Sequence, residues 1–406
     1  MDILGLLKEL FSGVLYLFTA EGLKTLVMFV ISGVLIYLAI KKDYEPALLL
    51  PIGFGAILAN LPPVIDQVTG EKVASVLGSE GFLTVLFNAG IKNELFPVLI
   101  FIAVGAMIDF SPLLKDPSMI FFGAAAQFGI FATFLLSLVL IPIVLPQTAG
   151  NDSLILRLAS AIGIIGAADG PTTLYVANHF KLADYMAPIS VAAYSYMSLV
   201  PVIQPPVIRA LTSKEERMIR MTYTEERASK LALILFPVIV TVVAGVVVPM
   251  SAPLVGSLMF GNLIRECGVL ERLSKTAQNE LANLVTILLG LAIGSTMVAK
   301  NFLRMDTLLI LALGLFAFVF DTAGGVLFAK FLNLFRKNKI NPMIGAAGIS
   351  AFPMSARVIQ KMAKEDDPYN FILMQSISAN VSGQLGSIVA GGMVITLVGM
   401  MLGNVW

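Results

Sequence analysis

Asp169 is the one acid in S-A-I-G-I-I-G-A-A-D-G-P-T-T-L-Y-V-A-N-H-F, residues 160 to 180, a stretch apolar enough to lie in a lipid bilayer. An ionised carboxylate at that depth costs about 2.5–3.5 kcal/mol on insertion scales, so it is retained for a partner or a passing ion, or is satisfied by neighbouring amides. Gly166, Gly170 and Pro171 interrupt any helix around it and free backbone carbonyls and amides. Exposed backbone at membrane depth is tolerated only against protein or a water-filled cavity, and broken helices of that kind build ion and substrate sites. The chemistry on offer is therefore cation binding by a buried carboxylate beside Thr172 and Thr173.

The rest of the chain must carry that carboxylate into a membrane, and its composition agrees. Hydrophobic residues make up 57% of the 406 and charged residues only 13%, and the mean hydropathy is +0.89, all far from the soluble average. A net charge of +1 gives no reason to expect nucleic acid or an acidic partner surface. A single cysteine, Cys267, excludes disulfides within the chain, and a single histidine, His179, leaves no His-rich metal site. No Walker loop, dinucleotide fingerprint or nucleophile elbow is present.

Apolar runs come as two sets of six. The first lies at about 24–42, 45–62, 94–110, 119–145, 156–180 and 187–211; the second at about 231–248, 250–265, 281–299, 306–335, 340–362 and 368–402. Residues 1–23 read as an amphipathic segment without the basic start and small-residue cut site of a signal peptide, and 213–230 as a charged linker. The sets resemble each other. The run from Pro51 matches that from Pro253, pairing Asn60 with Asn262. Ile102 to Ile108 matches Leu291 to Met297, pairing Gly105 with Gly294, and Ile164 to Gly170 matches Met343 to Ile349, pairing Gly166 with Gly345.

The expected fold is thus an all-α polytopic membrane protein with a first membrane repeat at 24–212 and a second at 231–406. If the fifth element of each set is a re-entrant hairpin, each half makes about five crossings and the halves are inverted. With the linker cytoplasmic, 19 of the 27 basic residues then fall inside, as the positive-inside rule asks. An inverted repeat brings the two hairpin tips together at mid-depth. The second tip offers Asn341, Ser350, Ser355 and Arg357 around Gly345 and Gly348, and the last element adds Asn380 and Ser382. Carboxylate, amide, hydroxyl and carbonyl oxygens suit hard cations, which points to Na+ or H+ and favours Na+. For the individual Ser and Thr residues, helix packing or back-bonding to the backbone is an equal reading.

Four stretches closely resemble the membrane beta subunit of the sodium-transporting biotin-dependent decarboxylases, which serve oxaloacetate, methylmalonyl-CoA, glutaconyl-CoA or malonate. They are G-A-A-D-G-P-T (166–172), G-A-M-I-D-F-S-P-L-L (105–114), F-G-N-L-I-R-E-C-G-V-L-E-R-L-S-K-T-A-Q-N-E-L (260–281) and G-A-A-G-I-S-A-F-P-M-S-A-R-V (345–358). The resemblance implies decarboxylation of carboxybiotin delivered by a carrier subunit, coupled to outward Na+ pumping with proton consumption, and an elevator-like scaffold and core. It implies assembly with a biotin carrier subunit, a carboxyltransferase (alpha) subunit and a small gamma/delta-type subunit, with homo-oligomers in the complex, in the cytoplasmic membrane of a prokaryote. By the same resemblance Asp169 is a Na+ ligand and proton acceptor, joined by Ser350, Asn341, Asn380, Thr172 and Gly345. Arg357 would hold the carboxylate of carboxybiotin and Tyr196 would move a proton.

Outside these motifs, Asp109 reads as a solvated or capping acid at the end of a span. Asp321, deep in 306–335, is a second intramembrane acid, functional or structurally paired. Residues 271–280 read as the start of a solvated helix. Without the motif resemblance, a Na+- or H+-coupled secondary transporter of a small carboxylate fits the same pattern, whereas a plain membrane anchor gives Asp169 no purpose.

Overall fold

The computed structural model describes residues 11–42, 44–62, 81–221 and 228–403. Every regular element among them is helical, as a lipid environment demands of a chain that must satisfy its own backbone hydrogen bonds. The main helices are α1 (Ala20–Lys42), α2 (Pro46–Ala59), α3 (Leu95–Met107), α4 (Ile120–Ala126), α5 (Phe128–Val144), α6 (Asp152–Ile164), α7 (Gly170–His179), α8 (Met186–Ser198) and α9 (Val200–Leu211). They continue with α10 (Lys230–Val247), α11 (Ala252–Glu266), α12 (Ala282–Thr296), α13 (Met305–Phe335), α14 (Met354–Asp366) and α15 (Leu373–Met401). Among the described residues six helical stretches, with Pro117–Val144 and Glu271–Thr296 each counted as one, are long and apolar enough to cross a bilayer, and up to eight spans result if two bent pairs each count as one. Residues 1–10 of the expected amphipathic segment lie outside the described residues, and α1 begins at Ala20 rather than 24.

Helices α1–α3 pack with α10–α12, chiefly as α2 on α12 and α3 on α11. Both contacts are backbone against backbone. A Cβ on Gly105 of α3 would collide with the Leu258 carbonyl, one on Gly261 with that of Ile102, and one on Gly294 with that of Ile52. Small residues that let helices touch are the usual means of helix association in lipid, where no hydrophobic drive remains. Two asparagines complete the seams in the same way. Asn60 donates to the carbonyl of Met297 at 2.7 Å, and Asn262 to that of Ile108 at 2.9 Å. Each accepting residue is the C-cap of the facing helix, where a carbonyl otherwise lacks a partner.

The remaining helices gather around α13 and α15. Here the expected spans are more broken than their hydropathy suggests. The run 119–145 is split at Gln127, whose side chain bonds Gly123 at 2.9 Å and Gly348 at 3.4 Å. The run 187–211 bends by 68° between α8 and α9, just before Pro201, which cannot continue the hydrogen-bond ladder of the preceding helix. The linker is less open than its charge suggests. Ser213 caps the short helix Lys214–Arg217 through a capping box, and Arg217 and Arg220 pair with Asp366 and Asp367 at 2.6 and 2.7 Å. Residues 222–227 lie outside the described residues.

Gly105→Ala is expected to destabilise the chain by about 1–3 kcal/mol through overpacking against α11, read as a lowered unfolding temperature in detergent. Gly33→Ala, whose Cβ meets nothing within 4 Å, should not. The linker clamp has a pH signature. A hydrogen bond from Arg220, helped by the Tyr369 N–H, holds the Asp367 carboxyl below its ordinary range, so its contribution is intact above the unfolded value near 3.9 and is lost as pH falls through the lower folded one. Hydrogen exchange of residues 213–221, corrected for intrinsic rates, should rise only in that acid window, and should be raised at neutral pH in Asp367→Asn.

Candidate functional site

Both hairpins form, and they meet. In the first, Asn151 caps α6, a single 3-10 turn over Ile165–Ala167 ends it, and Ala168 adopts a left-handed conformation at φ 54. That turn delivers Asp169 as the N-cap of α7, with Pro171 in the first turn behind it, the position where a missing N–H costs least. In the second, the turn Met343–Ala346 leads through irregular backbone at 347–353 to α14. Ser350 joins the tips. Its N–H and hydroxyl both donate to the Ala167 carbonyl, at 3.0 and 2.8 Å.

Asp169 is 3% exposed and collects hydroxyls. Its Oδ1 accepts from the Thr172 N–H at 3.1 Å, and its Oδ2 from the Thr172 hydroxyl at 2.7 Å and the Ser387 hydroxyl at 2.7 Å. The Gln384 amide lies 3.4 Å from Oδ2, and the Ser350 hydroxyl is a further interacting neighbour. On α15, Asn380, Gln384 and Ser387 are spaced four and three residues apart and so share one face. Asn380 donates to the carbonyls of Ile349 and Ala347 at 2.6 and 3.2 Å, while its Oδ1 is buried without a partner. Tyr194 lies beside this cluster. Its ring packs on Gly170, where an added Cβ would strike it, and its hydroxyl is buried without a hydrogen bond.

Several expected site residues are brought together: Asp169, Thr172, Ser350 and Asn380. Others are occupied elsewhere. Asn341 donates to the linker carbonyls of Arg217 and Ile219 at 2.8 and 3.0 Å and accepts from the Met343 N–H, so its side chain secures the linker. Gly345 is where α13 passes closest, with no room for a Cβ beside Gly325, and its carbonyl takes the Gly348 N–H. Tyr196 points the other way from Tyr194 and donates to the Leu311 carbonyl on α13. Ser382 faces the start of α4, bonding Met119 at 2.9 Å, and Ser355 bonds Gln204 at 2.9 Å. Asp109 caps a turn through the Ser111 N–H.

Arg357 lies apart from the tips, exposed at the start of α14. It lines a cleft of about 450 Å³ with Gln360, Lys361, Lys364, Glu365 and Leu373. Spaced four and three residues apart, Arg357, Lys361 and Lys364 form a cationic stripe on one helix face. The Arg357 guanidinium makes no hydrogen bond or ion pair among the described residues.

The side chains around Asp169 are hydroxyls and amides, and no cluster of three His, Cys, Asp or Glu side chains exists among the described residues. That donor set fits a hard cation and no thiophilic metal. Fold and site together define a polytopic membrane protein with a buried carboxyl group among hydroxyls and amides. The chain belongs to the Na+-transporting oxaloacetate decarboxylase beta subunit family, whose pattern it matches over residues 24–398. It is 45% identical over 397 residues to the methylmalonyl-CoA decarboxylase subunit beta of Propionigenium modestum, covering 94% of this chain and 97% of that one. It is 46% identical to the glutaconyl-CoA decarboxylase subunit beta of Acidaminococcus fermentans, over 92% and 93%, and 44% identical to the oxaloacetate decarboxylase beta chain of Klebsiella pneumoniae, over 92% and 94%.

Hydrogen bonds to a charged group contribute about 1.5–3 kcal/mol. Ser387→Ala is therefore expected to lower the unfolding temperature in detergent. Ser382→Ala, whose hydroxyl bonds only the backbone carbonyls of Met119 and Ala379, should lower it less.

Proposed function

We propose that this chain decarboxylates carboxybiotin, brought by a carrier subunit, and uses the free energy to drive Na+ outward across the cell membrane with consumption of a proton. The observation that carries the reading is the Asp169 carboxylate, held at the meeting of two broken hairpins with hydroxyls and the Gln384 amide N–H around it. Sodium would replace hydroxyl protons as the counter-charge, taking Asp169, the free Oδ1 of Asn380 and the hydroxyls of Thr172, Ser350 and Ser387 as ligands. Asn341 and Gly345 would support the site by fixing the linker and the α13 contact.

Arg357 would receive the carboxylate of carboxybiotin, since a guanidinium with no internal partner can offer two parallel N–H groups to it. CO2 departs readily once that carboxylate is desolvated and the ureido nitrogen is protonated. Tyr194, rather than Tyr196, has a hydroxyl free to take part in proton movement beside Asp169. Moving Na+ against the potential costs about 2.3 kcal/mol per charge per 100 mV, so ion release must be tied to the chemistry through two arrangements of the core. The reciprocal bonds of Asn60 and Asn262 support an inverted repeat of 24–212 and 231–406 about a cytoplasmic linker at 213–230. They also support a scaffold of α1–α3 with α10–α12, against which the other helices move in elevator fashion. Carboxyltransferase, carrier and small membrane subunits, and further copies of this chain, would complete the complex.

Asp169→Asn in the purified complex should leave the subunits assembled and abolish Na+-stimulated CO2 release from carboxybiotin, by about two orders of magnitude or more. Undiminished stimulation by Na+ in that variant would remove the carboxylate from the mechanism.

A further inference from the structure

A second acid, Asp321, is buried midway along α13 with 0% exposure. Its surroundings differ from those of Asp169 in a telling way. Its Oδ1 caps the interrupted start of α5, accepting from the Ile130 N–H at 3.1 Å and from the Gly129 N–H. Its Oδ2 has no hydrogen-bond partner. That oxygen faces Gly166 in the turn of the first hairpin, where an added Cβ would come within 2.5 Å of it. No cation accompanies it among the described residues.

The elements packed on this part of α13 bring little charge. Helices α4 and α5 and the turns Ile165–Ala167 and Met343–Ala346 carry no titratable side chain. Helix α6 brings Asp152 and Arg157, both in its first two turns, α8 brings Tyr194 and Tyr196, and α9 brings Arg209; α13 itself carries Asp306 and Lys330 nearer its ends. None of these hydrogen-bonds or pairs with Asp321.

A hard metal cation gathers several oxygens around itself, and Asp321 offers one free oxygen already covered by backbone. A proton needs only that one oxygen and no room. A buried carboxylate lacking a counter-charge is costly, and neutralisation removes the cost. We propose that Asp321 is a proton-binding site of this protein: Oδ2 carries a proton while the turn Ile165–Ala167 is seated against it, and releases the proton when that turn moves away. The exchange is COO− plus H+ giving COOH, with no other bond changed. The site connects the broken start of α5 to the hairpin whose tip, three residues after Gly166, carries Asp169.

This inference goes beyond carboxybiotin chemistry and sodium binding, and its test involves neither turnover nor substrate. Infrared difference spectra of the lipid-reconstituted complex at neutral pH report protonated, water-shielded carboxyl groups by their C=O stretch and its slow shift in D2O. A band equivalent to one carboxyl is expected in wild type and in Asp169→Asn, and is expected to vanish in Asp321→Asn, in which the amide copies the shape of the neutral acid. Persistence of the whole band in Asp321→Asn would overturn the proposal, as would its absence from Asp169→Asn. The second comparison decides the matter even if Asp321→Asn fails to assemble.

Discussion

A carboxyl group buried in the middle of a membrane protein sets the demands on the structure around it. Asp169 has no neighbouring cation among the described residues, so the chain must bring hydroxyls and N–H groups to it, and those come from the broken helices and from one face of α15. The turn Ile165–Ala167 and the irregular run 347–353 meet through Ser350, and α15 contributes the face that carries Asn380, Gln384 and Ser387. Interrupted backbone at this depth is stable because the hairpin tips lie against protein and not against lipid.

The close glycine seams between α2 and α12 and between α3 and α11 serve a different end. They hold α1–α3 and α10–α12 together, and the first hairpin touches this group where α7 packs on α3 and Asn178 donates to Glu94. The hairpins, α13 and α15 are held together by side-chain bonds to backbone carbonyls, such as Gln204 to Ala346 at 2.9 Å and Asn380 to Ile349 at 2.6 Å.

Much of this was legible in the sequence, because intramembrane acids and Gly-Pro interruptions are rare enough to stand out. Asp169, the two hairpins and the Asn60–Asn262 correspondence follow from residue type and position. What sequence reasoning missed was direction. Tyr194 and Tyr196 are two residues apart on one helix, so they face different sides, and only packing on Gly170 decides which one meets Asp169. The polar run 376–387 suggested Ser382, although the 3.6-residue period that places Asn380 on a face also selects Gln384 and Ser387. Asn341 resembles an ion ligand by type, yet it is taken up by linker carbonyls far along the chain, a contact no local pattern announces. The splits at Gln127 and Leu199 were hidden inside continuous apolar runs, though Pro201 was a signal for the second.

The most direct test of the central claim is a pair of maps of the complex, one in sodium and one in a sodium-free medium with a bulky organic cation. The account predicts an added density in sodium, bonded to Asp169 and to the Oδ1 of Asn380, with the Thr172 and Ser387 hydroxyls rotated to offer oxygen. Identical maps around Asp169, or a sodium density bound elsewhere with the carboxylate still holding its hydroxyl protons, would contradict it.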